Sequence, residues 1–279
     1  MKLAVVGMGH WGELLVKKFK EGGHTIYKFD KDYFDSWGAA KTIADMVHAV
    51  VIATPNNTHY ALAREFILKN KPVWVEKPLA TNYADARELV ELSEASGTIL
   101  MVDHQLIYYQ AVRWIKLVCQ IHKPIQIVST RLGWNSVKHG VDPLWNLAPH
   151  SFSIIGELIE GFDDINNPEL QVQNFGNYAH ISGILNNTGI IVEVASNWPE
   201  TQRGTIITLN SEPLQTYSFN ENTNAIRGWV EDQEMCNMSF YDNDPLGEAC
   251  KDFIESIKEN KEPKSSAKRQ LKVYEVLGG

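Results

Sequence analysis

Three stretches of this sequence combine residue types at spacings that could do chemistry. Gly7-Met8-Gly9-His10-Trp11-Gly12 carries the G-x-G-x-x-G spacing, Glu76-Lys77-Pro78 ends an apolar run, and Asn146 and His150 stand four residues apart. Glycines at that spacing let a backbone approach a pyrophosphate. A lysine ammonium can polarise a developing alkoxide, and a histidine can move a proton. We therefore ask which elements position these side chains.

The glycine stretch lies between a predicted strand at 2–6 and a helical apolar pattern that begins at residue 13. A strand before the glycines and a helix after them are the context in which this motif indicates dinucleotide binding. Its glycines then permit a tight turn, a close approach of the phosphates and close packing of the helix. The helix N-terminus then faces the phosphates. We expect Gly7, Gly9, His10, Trp11 and Gly12 to contact a dinucleotide, although glycine-rich turns have other uses.

Asp30 follows the predicted strand 25–29 and lies 18 residues beyond Gly12 (30 − 12). An acid near this position binds a ribose 2′-hydroxyl and repels a 2′-phosphate, which favours NAD over NADP. Lys31 could tolerate the extra phosphate, so NADP stays possible. The alternative is that Asp30 only begins a turn with Asp32.

Two further predicted strands end at polar loops. Residues 47–53 precede Thr54-Pro55-Asn56-Asn57-Thr58-His59, where Asn57 or Thr58 is predicted to cap a helix at 60–70. His59 by itself is typical of a first-turn helix residue without chemistry. The other run ends at Glu76-Lys77-Pro78, and proline must leave the sheet. Lys77 then lies at the carboxyl end of a strand, where open parallel sheets bind ligands, unless it only forms a surface ion pair with Glu76.

Helix 83–96 and strand 98–103 continue the alternation of strands and helices, which predicts a doubly wound parallel sheet. The composition also limits the classes of protein to which the chain could belong. The net charge of −8 opposes binding to nucleic acid, and three scattered cysteines argue against disulfides or a zinc site. No apolar run predicts a membrane span or a signal peptide, so we expect a cytoplasmic protein without a metal.

In the order and spacing of residues 7–12, 53–59 and 76–78, the chain resembles the Gfo/Idh/MocA family of NAD(P)-dependent oxidoreductases. The resemblance implies an α/β Rossmann domain at 1–120 and an α+β domain with a large, mostly antiparallel sheet at 121–279. The last helix, 267–277, is expected to pack back on the first domain. The family also implies a homo-oligomer built through the second sheet.

The resemblance also assigns roles to residues. Lys77 would lie between nicotinamide and substrate, and His150 would be the acid/base oriented by Asn146. Further cofactor contacts would be Thr54, Pro55, Asn56, His59 and Glu76. Arg131 and Lys138 could meet a substrate phosphate or carboxylate, although we expect surface charges there by default.

The chain departs from the family pattern at two places. Tyr109 and Gln110 stand where relatives carry His-Pro, and Asn146 and Ser151 stand where relatives often carry Asp. Asn can orient an imidazole but cannot stabilise its charge or take a proton. His150 could therefore also be a structural helix residue.

We expect an NAD-dependent dehydrogenase or reductase that acts on a carbinol or keto carbon of a sugar or nucleotide sugar. Two alternatives remain: a catalytically weak NAD-binding sensor or scaffold, and an enzyme that uses NAD for sugar chemistry without net redox change. The expected partners are a small sugar substrate and further copies of the chain, with no nucleic acid and no membrane.

Overall fold

A computed structural model describes residues 1–30, 39–134, 142–165, 168–196, 201–241 and 244–277. Lys31, Asp32 and Lys138, which the sequence singled out, lie outside these ranges. The chain forms two compact units, Met1–Gln105 with Leu246–Leu271 and Leu106–Pro245 with Lys272–Gly279. The domains 1–120 and 121–279 stay a prediction, because compactness does not test where folding domains divide.

The helices and strands alternate through the first half of the chain, and strands dominate the second. The helices are α1 (His10–Glu21), α2 (Ala39–Met46), α3 (His59–Ile67), α4 (Tyr83–Ser96), α5 (Gln110–Ile121), α6 (Pro143–Leu158), α7 (Pro245–Glu259) and α8 (Ala267–Val276). The strands are β1 (Lys2–Val6), β2 (Thr25–Phe29), β3 (Ala49–Ile52), β4 (Val73–Val75), β5 (Leu100–Val102), β6 (Pro124–Trp134), β7 (Glu169–Asn174), β8 (Tyr178–Leu185), β9 (Thr188–Ser196), β10 (Gln202–Leu209), β11 (Gln215–Asn220), β12 (Ala225–Val230) and β13 (Gln233–Ser239).

The first unit contains a five-stranded parallel sheet of order β2-β1-β3-β4-β5. Strand β3 is buried along its whole length, as expected for a parallel strand covered on both faces. The chain adds β2 on one side of β1 and then returns to add β3 on the other. Ligands bind outside the carboxyl ends of strands at such a reversal. The predicted doubly wound sheet is confirmed, and its reversal lies between β1 and β3.

Aromatic packing brings α7 into the core of this unit. The Phe253 ring meets the Trp74 ring edge-on at a centroid distance of 5.7 Å, and the Phe19 ring meets Trp74 at 5.8 Å. All three side chains are fully buried. Residues from α1, β4 and α7 therefore close one core, although α7 is remote in sequence.

The second unit contains an eight-stranded sheet of order β13-β12-β11-β10-β6-β9-β8-β7. Every neighbouring pair is antiparallel except β6 and β9, which run parallel. A two-residue turn joins β8 to β9 through Asn186 and Asn187, whose φ angles are 44° and 64°. Two consecutive positive φ angles define the hairpin turn in which asparagine is common. The large, mostly antiparallel sheet is confirmed.

One face of this sheet packs against α5 and α6, and the buried cluster between them includes Phe152, Ile127 and Ile207. This face holds the polar side chains discussed below. Among the residues described, no helix is long and apolar enough to cross a membrane.

Candidate functional site

The glycine loop after β1 leaves no room for two side chains and open space for a third. A Cβ built on Gly7 would lie 2.5 Å from the Ala53 carbonyl oxygen, and Gly7 has a φ of 95°. A Cβ on Gly12 would lie 1.9 Å from the Gly7 carbonyl oxygen. A Cβ on Gly9 meets no heavy atom within 4 Å. The outer glycines thus fit close packing, and Gly9 leaves its backbone open to a ligand.

Gly9 is also the N-cap of α1, and as a glycine it has no side chain with which to cap this helix end. The first-turn N–H groups of a helix need acceptors, and the helix end carries partial positive charge. A pyrophosphate supplies both the acceptors and the negative charge. His10 and Trp11 are exposed beside it. The loop therefore fits a dinucleotide by its own geometry, as predicted from its glycine spacing.

Asp30 is exposed directly after β2, the neighbour of β1. The structure therefore puts it at the same sheet edge as the glycine loop, where a ribose hydroxyl would need an acceptor. The preference for NAD over NADP that Asp30 implies stays a prediction.

Thr58 is the N-cap residue of α3, as predicted, but its side chain makes no cap hydrogen bond. The Thr58 hydroxyl donates to the Pro55 carbonyl at 2.7 Å and lies 2.7 Å from the Thr54 hydroxyl, and it makes no cap hydrogen bond to α3. The hydroxyl is thus used to close the loop on itself. The predicted N-cap position is therefore confirmed at Thr58, and only the expected side-chain hydrogen bond is wrong.

His59 joins the two loops at the edge of the sheet. Its side chain is fully buried, with Nδ1 2.7 Å from the Pro78 carbonyl oxygen and Nε2 2.8 Å from the Thr54 carbonyl oxygen. Burial lowers the pKa of His59, and the Lys77 ammonium acts in the same direction, against the two carbonyl contacts. A neutral imidazole can donate to only one of these carbonyls. His59 therefore ties the Thr54 loop to the Glu76-Lys77-Pro78 loop.

Lys77 is half-buried just beyond β4, and a pair of buried acids lies behind it. The backbone N–H of Asp103, after β5, donates to the Val75 carbonyl at 2.9 Å and so brings Asp103 beside Glu76. Burial, and then repulsion from Asp103, raises the pKa of Glu76 well above its usual value. Burial also raises the pKa of Asp103, while the Lys77 ammonium favours the ionised form of both acids.

Burial therefore favours the protonated form of each acid, while the Lys77 ammonium favours a negative charge on the pair. The sequence analysis considered Glu76 as an ion-pair partner of Lys77 or a cofactor contact, but it missed Asp103. The available signal was an acid directly after the next parallel strand, because the carboxyl ends of neighbouring parallel strands meet at one edge.

In the second unit, Asn146 and His150 both lie within α6. The helix begins after Asp142, whose carboxylate accepts from the Leu144 N–H at 2.8 Å. Pro149 lies inside the helix and has no N–H for the carbonyl one turn earlier. Asn146 is buried and His150 is half-buried. Their four-residue spacing puts both side chains on one face, as predicted.

The next residue, Ser151, is fully buried and binds the sheet. Its hydroxyl oxygen accepts from the Ser129 hydroxyl at 2.8 Å and from Arg131 Nε at 3.2 Å. Arg131 is also buried and forms an ion pair with Glu221. The expectation that Arg131 is a surface charge is therefore wrong, because its guanidinium has two internal partners.

Residues 28–104 match the profile of an oxidoreductase family with an NAD-binding Rossmann fold, GFO_IDH_MocA. The match covers 77 of the 279 residues (104 − 28 + 1). The Gfo/Idh/MocA resemblance predicted from the three motifs is thus confirmed, and so is NAD as the cofactor of that fold. The matched segment contains the Thr54 loop, Glu76, Lys77 and Asp103.

Two curated relatives match about half of this chain. An uncharacterised oxidoreductase of Streptococcus pneumoniae serotype 4 is 27% identical over 157 residues, 50% of this chain and 43% of the relative. The 2,7-anhydro-N-acetylneuraminate hydratase of Mediterraneibacter gnavus is 28% identical over 153 residues, 47% of this chain and 39% of the relative. The alignments thus span about two fifths of these relatives' length.

A solved structure matches the whole fold. The UDP-N-acetylglucosamine 3-dehydrogenase of Acidithiobacillus ferrooxidans superposes with a TM-score of 0.83 at 17% identity, covering 99% of this chain and 95% of that one. At this identity the match shows similarity of fold alone.

Proposed function

We propose that this protein is an NAD-dependent oxidoreductase acting on a carbinol or keto carbon of a sugar or nucleotide sugar. The proposal depends chiefly on Lys77, a half-buried cation at the carboxyl edge of the sheet that carries the glycine loop. The sugar class is supported by the relatives, one named a UDP-N-acetylglucosamine 3-dehydrogenase and one an anhydro-N-acetylneuraminate hydratase.

Each residue has a defined task in this proposal. Bound NAD supplies the acceptor or donor of hydride. Gly9 leaves room for its pyrophosphate in the tight loop that Gly7 and Gly12 permit, and Asp30 accepts from its ribose. The Lys77 ammonium, held by the negative charge of the acid pair, stabilises negative charge on the reacting oxygen. The imidazole of His150 takes the proton of that oxygen during oxidation and returns it during reduction, with Asn146 orienting the ring.

The test follows absorbance at 340 nm with NAD or NADH and a panel of sugars, inositols and nucleotide sugars. We expect Lys77→Met to lower kcat by about 100-fold or more while NADH binds as in the wild type. Lys20→Met, which removes an exposed lysine of α1, is the matched control and should retain activity. Normal residual turnover with lost NADH affinity in Lys77→Met would contradict the proposed role.

A second candidate has one specific observation in its favour. The Mediterraneibacter gnavus relative is named a hydratase, and hydration changes no net oxidation state. An enzyme that uses NAD for transient oxidation would convert such a sugar with no lasting change at 340 nm. Chromatography of the same reactions distinguishes the two candidates, because only the second gives product from NAD-loaded protein without net NADH formation.

A further inference from the structure

A path of contacts within the first unit leads from the glycine loop towards Lys77. The Ala53 N–H donates to the Val6 carbonyl at 2.8 Å, and a Cβ on Gly7 would lie 2.9 Å from the Thr54 nitrogen. The glycine loop and the Thr54 loop are therefore in direct backbone contact. Because packed backbones leave no free space, a shift of one loop displaces the other.

His59 continues this path to the loop that carries Lys77. Its Nε2 lies 2.8 Å from the Thr54 carbonyl oxygen, and its Nδ1 lies 2.7 Å from the carbonyl oxygen of Pro78, the residue after Lys77. The side chain of His59 is fully buried. It therefore acts through these two carbonyls, one in each loop.

The ring of His59 cannot donate to both carbonyls while it is neutral. A neutral imidazole has one N–H group, so its other nitrogen turns a lone pair towards a carbonyl oxygen. Burial lowers the pKa of His59 and so disfavours the imidazolium, the form that donates to both carbonyls. His59 therefore has two alternative neutral states, with its ring proton on the side of Thr54 or on the side of Pro78.

Two alternative states at one residue are what coupling between two sites requires. Contact alone transmits nothing, because both sites must bias the same two-state element. A ligand that displaces the Thr54 loop changes how well the Thr54 carbonyl accepts the ring proton of His59. The Pro78 carbonyl gains or loses that proton in return, and the backbone beside Lys77 adjusts to the change.

We infer that His59 is a positioning residue for Lys77, and that it makes the position of this lysine depend on an occupied dinucleotide site. The inference rests on the proposed function, which gives Lys77 its task at the reacting oxygen. It adds that Lys77 takes its working position when the glycine loop holds the two phosphates of a dinucleotide. Such a coupling is a free energy shared by two sites, so it can be measured at either one.

The test measures acetylation of Lys77 with and without ADP-ribose. This probe carries the two phosphates and both riboses of the cofactor but no nicotinamide ring that would cover Lys77. A short pulse of acetic anhydride, followed by peptide mass spectrometry, reports the exposure and basicity of each lysine. We expect saturating ADP-ribose to change the acetylation rate of Lys77 by about fivefold or more in the wild type. The rate at Lys20, an exposed lysine of α1, should stay unchanged.

His59→Gln is the deciding variant, because glutamine can donate a hydrogen bond but has no proton that changes sides. We expect the effect of saturating ADP-ribose on Lys77 to fall below about twofold in this variant. The matched control His48→Gln removes an exposed histidine that accepts from the Lys2 N–H at 2.9 Å, and it should keep the full effect. Direct shielding of Lys77 by the probe would survive in His59→Gln, so a full effect there overturns the inference.

A second measurement does not depend on the folding of any variant. The ¹⁵N chemical shifts of the His59 ring in the wild type should show one protonated nitrogen at pH 8, and ADP-ribose should change the proportion of the two neutral states. A doubly protonated ring, or a ring that ADP-ribose leaves unchanged, would refute the coupling.

The acetylation readout separates this inference from the proposed function. If ADP-ribose changes the rate at Lys77 but no sugar gives Lys77-dependent turnover, the proposed reaction is wrong and the coupling stands. Conversely, Lys77-dependent turnover with an acetylation rate that ADP-ribose leaves unchanged supports the oxidoreductase and refutes the coupling. Failure of ADP-ribose to bind at all refutes the dinucleotide site and this inference together.

Discussion

The Gly7 carbonyl oxygen lies so close to Gly12 that a Cβ on Gly12 would approach it to 1.9 Å, whereas a Cβ on Gly9 meets nothing within 4 Å. Gly9 and Gly12 therefore have different structural roles within the same motif. Gly12 allows α1 to pack against the end of β1, and Gly9 keeps the helix end open. Because these roles differ, alanine substitutions at Gly9 and at Gly12 should have different effects on stability and on NADH binding.

We expect Gly9→Ala to fold with a free energy of unfolding within about 1 kcal/mol of the wild type, because Gly9 has a φ of −71° that alanine accepts. The same variant should bind NADH at least about tenfold more weakly, because the methyl group occupies the open side. Gly12→Ala should instead destabilise the fold by about 3 kcal/mol or more. Urea denaturation and NADH fluorescence titration measure both effects, and equal NADH affinity in Gly9→Ala would contradict this division.

The second prediction concerns His59. His59→Ala leaves the Thr54 and Pro78 carbonyls without their buried partner and opens a cavity, which should cost about 2–4 kcal/mol. Urea denaturation measures the loss. The control His48→Ala removes an exposed histidine that accepts from the Lys2 N–H at 2.9 Å, and it should cost under about 1 kcal/mol. Similar losses in the two variants would show that His59 does not tie the loops together.

The pH dependence of His59 has a definite sign. Its pKa in the folded protein is lowered by burial from the usual 6.5, so the unfolded chain binds more protons in acid. The contribution of His59 is present above pH 6.5 and decreases as the pH falls below it. We therefore expect the difference in unfolding free energy between wild type and His59→Ala to shrink from pH 8 to pH 5.5. A difference that grows in acid would mean that the imidazole is held protonated by its two carbonyls.

For the acid pair Glu76 and Asp103, we expect the opposite dependence of stability on pH. The pKa of Glu76 is raised from 4.5 by burial and by Asp103, so its contribution to stability is full below about pH 4.5 and is lost as the pH rises. Asp103→Asn removes the second charge but keeps an acceptor. It should therefore raise the free energy of unfolding at pH 8 by about 1–2 kcal/mol, with a smaller gain at pH 5. The exposed Asp45→Asn is the control. Destabilisation by Asp103→Asn at pH 8 would contradict this prediction.

Asn146→Asp tests whether the site on α6 is complete. If the protein is a catalytically weak sensor that lost an acid, restoring the carboxylate should raise kcat by about 100-fold, within the range of general acid–base catalysis. We expect instead a change under about tenfold, because His150 works with an amide that only orients its ring. The pH dependence of kcat adds a second readout. The acidic limb should shift upward in Asn146→Asp because a carboxylate stabilises imidazolium.

The sequence predicted the first unit well because its signals are local. The strand bounds Lys2–Val6 and Thr25–Phe29 and the helix Tyr83–Ser96 agree with prediction, since apolar periodicity and the cap at Asn82 act within a few residues. Ala39–Met46 was missed, because a helix of one or two turns carries little periodicity.

The contacts that build the candidate site were harder to predict because they join distant residues. The His59 bridge depends on a carbonyl 19 residues away, and the Arg131–Glu221 pair joins residues 90 positions apart. The residue type shows that a side chain can donate a hydrogen bond, but it does not show which carbonyl or carboxylate will accept that bond. Arg131 therefore looked like a surface cation until the sheet register placed it under α6.

Strand β5 depends on a segment far along the chain. Met101 forms a bridge with Ser266, and the Val102 N–H donates to the Ser265 carbonyl at 2.9 Å. On the ribosome, β1 to β5 emerge long before residue 265, so the sheet must wait with this edge unpaired. The nucleotide-binding unit can be finished only after residue 266 has emerged, when the residues of the eight-stranded sheet have already left the ribosome.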